Sequence, residues 1–259
     1  MSKLLSPMKI GRNIFKNRVV MAPMCMFHSK TVDGVLTKEH FDHYVARALG
    51  GVSGIIVEAT MVNNKGGIRK VDLGLYNETQ MKAFKELVDR VHGYDCKIAI
   101  QLNHAGRKAD SSYEEIIAPS PISFSNEKAP RELTKEEIKS LQKDFVNSVK
   151  LAKESGFDFV EIHGAHGYLI SQFLSPLSNQ RTDEYGASVE NRYRFLGEIL
   201  NELKNIDIDI HLRISANEYD ENGNSIDDII KILQFAKKDG VVFNSISSGG
   251  LVPSSPLVY

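Results

Sequence analysis

Six times along this chain a short run of Val, Ile and Leu breaks off at a small or polar residue, and an amphipathic stretch with helical spacing follows most of the breaks. The runs are Arg18-Val19-Val20-Met21, residues 54–60, residues 97–102, residues 159–163, residues 208–214 and residues 241–246. Near-continuous apolar runs of this length are strands buried on both faces, which is the environment inside parallel α/β architectures. The intervening stretches carry helix signals. Thr37 caps a helix ended by Gly50-Gly51, and Met81, Phe84, Leu87, Val88 and Val91 share one face of a helix stopped by Gly93. Thr134-Lys135-Glu136-Glu137 is a capping box before Ile138, Leu141, Phe145, Val149 and Ala152. Helices are also predicted over residues 193–203 and from Ser225 to Lys238, the latter closed by Gly240. Pro7 to Gly11 reads as a small lid or hairpin before the first repeat. No low-complexity linker interrupts the pattern, so residues 1–259 are expected to form one domain.

The fourth run is chemically the richest: Phe159-Val160-Glu161-Ile162-His163-Gly164-Ala165-His166-Gly167-Tyr168. Parallel sheets place their chemistry at the carboxyl ends of strands. Two neutral imidazoles there can donate hydrogen bonds to an oxygen that gains negative charge, and a tyrosine can supply a proton. Two plainer readings compete. Glu161, His163 and His166 are ordinary metal ligands, although the chain leaves the strand before His166 and no other Cys/His/Asp cluster completes a sphere. Hydrogen-bonded structural histidines are the other.

A net charge of −1 and 42% hydrophobic residues argue against a nucleic-acid partner and against disorder. Cys25 and Cys96 lie far apart and form no CxxC pattern, so reduced thiols and a cytoplasmic location are expected. The N-terminus lacks a signal-like apolar core, and no run approaches the roughly 18 residues of a membrane span.

The other strand ends add Ala22-Pro23-Met24-Cys25, Ala59, Gln101 and Arg213. Chemically distinctive residues at successive strand ends favour a barrel, in which those ends converge on one mouth, over a doubly wound sheet. The absence of G-x-G-x-x-G after any strand removes the usual dinucleotide fold. Ala22 and Ala59 leave room for a flat ligand. Gln101 offers a donor and an acceptor to an imide-like edge, and Arg213 a fixed positive charge. Together they suit a ring that becomes anionic, as a reduced flavin does. Each residue alone has a commoner explanation: a strand-end polar group for Gln101, an ion pair for Arg213, a small buried apolar residue for Cys25.

Three strings make the chain resemble the Old Yellow Enzyme family of flavin-dependent oxidoreductases, in its bacterial cysteine-containing branch. They are Asn17 to Cys25, Ile100 to Arg107 and Glu161 to Leu169. The run Gln172 to Gly186, followed by Asn191-Arg192-Tyr193-Arg194-Phe195, is the most distinctive match. The resemblance implies a TIM (β/α)8-type barrel, flavin mononucleotide (FMN) as cofactor and NADPH or NADH as reductant. The implied reaction is reduction of the activated C=C bond of an α,β-unsaturated carbonyl or nitro compound. It also implies flavin contacts from Ala22, Pro23, Met24, Cys25, Ala59, Gln101 and Arg213, a grip on the substrate oxygen by His163 and His166, and proton donation by Tyr168. Phe27 stands where this branch usually has a substrate-binding tyrosine. The family barrel has eight strands, whereas this sequence reaches six and runs out at Leu251 to Tyr259. The expectation is therefore a barrel truncated after the sixth strand, without the phosphate cradle that barrels build after strands seven and eight. Its open apolar edges should drive homo-oligomerisation. The alternative function is a catalytically incompetent fragment without stable flavin.

Overall fold

The computed structural model describes residues 2–29, 33–125 and 128–254, so residues 255–259 of the expected tail lie outside the described residues. The chain begins with an antiparallel hairpin, β1 (Met8–Ile10) and β2 (Asn13–Phe15). The hairpin turns at Gly11, whose φ of 54° suits glycine. β3 (Val20–Met21) starts the main sheet. The main elements then run α1 (Lys38–Leu49), β4 (Gly54–Met61), α2 (Glu78–His92) and β5 (Lys97–Asn103). A long loop holds the two-residue strands β6 (Ile117–Ala118) and β7 (Arg131–Glu132) before α3 (Lys135–Ser155) and β8 (Phe159–Gly164). Then come α4 (Leu169–Leu174), α5 (Val189–Leu203), β9 (Asp209–Ser215), α6 (Ile226–Lys238) and β10 (Val241–Ser247).

The six principal strands form one sheet in the order β3-β4-β5-β8-β9-β10, and every pairing is parallel. Among the main six each strand lies beside its predecessor, as in a barrel. Strand alternation divides the residues between two faces. Ile55, Val57, Ile98, Ile100, Val160, Ile162, Leu212 and Ile214 join the helices in one continuous apolar core. Ile56, Ala99 and Phe159 point to the other face and pack on Phe15 of the hairpin. The hairpin is tied to the start of β9, because the Arg12 and Asn13 N–H groups donate to the Asp209 carboxylate at 2.7 and 3.2 Å. It closes the amino end of the inner face and leaves the carboxyl end for polar groups.

The helix boundaries follow local chemistry. Thr134 Oγ1 accepts from the Glu137 amide while the Glu137 carboxylate accepts from Thr134 N–H, as the capping box requires. Gly156 ends α3 at φ 90°. The α5 helix begins before the predicted start at residue 193, because the Ser188 hydroxyl accepts from the Asn191 amide and caps it. The short α4 was not visible as a periodic stretch: all six of its residues are buried, so it has no solvent-facing side. Among the described residues no helix is long and apolar enough to cross a membrane. Also among them, β3 pairs only with β4 and β10 only with β9, so each outer edge lacks a neighbour. Val242, Phe243 and Ile246 on β10 are 43%, 40% and 57% exposed.

Candidate functional site

Glu161 is the centre of the inner face. It is fully buried on β8, between the apolar residues Val160 and Ile162 that point to the helices. Oε1 of Glu161 accepts from Gln101 Nε2 on β5 at 2.7 Å and from Arg213 Nε on β9 at 2.9 Å. Oε2 accepts from the Ser245 hydroxyl on β10 at 2.7 Å. One carboxylate thus joins four strands. Both of its oxygens are engaged by protein donors, so the carboxylate that a metal site would need is already committed. Gln101 keeps its carbonyl oxygen, and Arg213 makes no further hydrogen bond through its terminal nitrogens among the described residues. An amide carbonyl and a guanidinium side by side match the imide edge of a flat ring that gains negative charge, and this fits a flavin.

His163 stands one layer further along β8 and His166 in the turn just after it, with ring centroids 5.1 Å apart, and the Tyr168 ring lies 4.9 Å from that of His163. The Ala165 amide donates to His163 Nδ1 at 3.2 Å, so the neutral ring carries its proton on Nε2. Burial holds His163 well below the ordinary imidazole range, and the nearby His166, Arg213 and Lys108 add to the effect. Burial, with Arg213 and Lys108, lowers His166 to about 4. Both rings are therefore neutral near pH 7, each carrying one N–H. Nε2 of His166 shares a 2.6 Å hydrogen bond with Ser247, which leaves Nδ1 as its other ring nitrogen. The tight turn between the histidines places His166 at φ 57° and Gly167 at φ 71°. A Cβ on Gly167 would strike the Gly250 carbonyl oxygen and the Leu251 backbone, so this turn needs glycine.

The segment after β3 is fixed by a second buried carboxylate. Glu58 accepts from the Met26 amide at 2.7 Å and from the Tyr44 hydroxyl at 3.0 Å, and His40 Nε2 lies 3.6 Å away. Glu58 occupies a register shift between Val57 and Ala59, which brings Ala59 opposite Gln101. Cys25 is half-buried, and desolvation pushes its thiol up to about 12, reinforced by Asp72 and Glu58. The ring of Phe27 lies under the Arg69 guanidinium at 4.4 Å. Met24 is 56% exposed and Ala22 lines a hollow shared with Arg213 and Ser245. That hollow, of about 270 Å³, extends down the inner face to Ile10, Phe15 and Phe159. A larger cavity, of about 650 Å³, lies elsewhere, among Lys65, Tyr113, Lys128 and Arg131, and none of the residues singled out in the sequence lines it.

Sequence reasoning passed over three contributors. Glu161 was weighed only as a metal ligand, although a carboxylate in the middle of an apolar strand is itself a signal of a buried network. Glu58 carries the same signal. Lys108 was not singled out, yet its ammonium donates to the His166 and Gly250 carbonyl oxygens, each at 3.0 Å, and lies 5.0 Å from the Tyr168 ring centroid. Burial, then Arg107, brings Lys108 down to about 8.

Residues 3–254 match the model of the NADH:flavin oxidoreductase / NADH oxidase family. An NADPH dehydrogenase of Listeria welshimeri is 48% identical over 261 residues, covering 100% of this chain and 77% of that protein. An NADPH dehydrogenase of Bacillus subtilis is 48% identical over 259 residues, with 99% and 76% covered. Among solved structures, the Old Yellow Enzyme from Pichia sp. AKU4542 superposes with a TM-score of 0.87 at 31% identity, covering 94% of this chain and 70% of that one. A 2-naphthoyl-CoA reductase gives a TM-score of 0.92 at 27% identity, and the chain spans 42% of its length. The parallel half-barrel, the strand-end residues and these likenesses converge: the chain belongs to the NADH:flavin oxidoreductase / NADH oxidase family, Old Yellow Enzyme-type oxidoreductases that use FMN with a reduced nicotinamide.

Proposed function

We propose that this chain reduces the activated C=C bond of α,β-unsaturated carbonyl or nitro compounds. The carrying observation is His163, neutral and with its proton on Nε2, beside His166 and Tyr168 at the carboxyl end of β8. Two neutral donors suit a carbonyl or nitro oxygen that becomes more negative as hydride reaches the β-carbon. A charged imidazolium would grip the ground state as well. Tyr168 supplies the proton for the other alkene carbon. Flavin mononucleotide, when bound, carries hydride from the nicotinamide to the alkene. Gln101 and Arg213 hold its imide edge, Ala22 and Ala59 leave space for its ring, and Cys25, Pro23 and Met24 flank it. Phe27 makes an apolar wall where the branch has a tyrosine, so substrate orientation rests on the histidines.

Among the described residues β3 and β10 each leave one edge unpaired, which favours a second reading, a half-barrel that holds no stable flavin and has no activity. The test equilibrates the purified chain with FMN, measures bound flavin by visible absorbance after gel filtration, and follows NADPH oxidation with 2-cyclohexenone. Bound flavin with enone-dependent turnover supports the proposal. Flavin retained without enone turnover overturns it, and no retained flavin supports the second reading.

A further inference from the structure

We propose that Glu161 is a positioning residue that fixes Gln101 and Arg213 against the cofactor and offsets the Arg213 charge, thereby restraining the preference for reduced over oxidised flavin. This rests on the reading that the flavin's imide edge lies against Gln101 and Arg213.

The geometry argues for more than a structural ion pair. A fully buried carboxylate is costly, and a well-packed apolar residue commonly replaces a buried pair without loss of stability. Here the carboxylate spans β5, β8, β9 and β10 through three bonds of 2.7 to 2.9 Å, and two of the three donors are the candidate flavin contacts. By taking Gln101 Nε2, Glu161 decides which end of that amide meets the ligand: the carbonyl oxygen is left to accept from a ring N–H. By taking Arg213 Nε, it fixes the plane of the guanidinium and leaves the terminal nitrogens. The third bond, from Ser245, holds the second oxygen and stops the carboxylate from rotating. Electrostatically, Arg213 alone would favour a reduced, anionic ring. A negative charge 2.9 Å from its Nε weakens that bias.

The experiment measures the FMN midpoint potential and the dissociation constant of oxidised FMN in the full chain and in Glu161→Gln, Glu161→Asp and Arg213→Gln. Glu161→Gln keeps the shape and removes the charge. It should tighten reduced relative to oxidised FMN by about tenfold, a rise of about 30 mV for a two-electron couple. Arg213→Gln should lower the potential. Glu161→Asp keeps the charge but shortens the reach; the potential should stay close to the parent's while FMN affinity falls about tenfold. This variant tests positioning even if Glu161→Gln fails to fold. If Arg213→Gln moves the potential and Glu161→Gln does not, the flavin site stands and the role of Glu161 is overturned. Unchanged FMN affinity in Glu161→Asp overturns it too. If no variant alters potential or affinity, the flavin is not at this site and both readings fall.

Discussion

Cys25 shows how burial decides the chemistry of a residue whose type alone suggests several roles. A free cysteine titrates near 8.5, and reactive cysteines sit lower, beside positive charge. Here burial, Asp72 and Glu58 hold the thiol up to about 12, so Cys25 is a neutral thiol across the working pH range. Alkylation by iodoacetamide at pH 8 should therefore run at least roughly 100-fold slower at Cys25 than at a free cysteine and keep rising beyond pH 10. A rate equal to that of free cysteine at pH 8 would contradict this environment. His166 makes the complementary case. Its folded value of about 4 lies below the ordinary 6.5, so it favours the folded state above pH 6.5, and that contribution is lost as pH falls towards 4. Its imidazole signals in NMR should titrate near pH 4, and a midpoint at 6.5 or above would refute the buried, neutral donor.

At the scale of elements, the six strands and five main helices were legible because their apolar periods and caps are local. Thr134, Gly156 and Ser225 mark their boundaries unaided. What escaped was set by contacts distant in sequence. The register shift at Glu58 arises where β4 meets β5, so alternation counted along β4 alone could not bring Ala59 opposite Gln101. The residues gathered by Glu161 come from positions 101, 213 and 245, and no spacing rule links them. The turn at Gly167 belongs here too, because it seats His166 against the backbone of residues 250–251. Gly167→Ala should destabilise the chain by about 2 kcal/mol in urea unfolding, from the left-handed backbone and the clash together. A change below about 0.5 kcal/mol would show that the turn is not constrained as described.

At the largest scale, the described residues form a parallel arc of six strands. β3 and β10 end the sheet with partly exposed apolar residues, and the inner hollow of about 270 Å³ reaches from the hairpin to Arg213. The central claim, that this arc carries an ene-reducing site, is tested most directly by rapid mixing. The FMN-loaded chain, reduced beforehand with NADPH, is mixed with 2-cyclohexenone and compared with His163→Ala. Flavin reoxidation by the enone should slow about 100–1000-fold in the variant, while reduction by NADPH changes far less. Equal reoxidation rates in parent and variant would contradict the account.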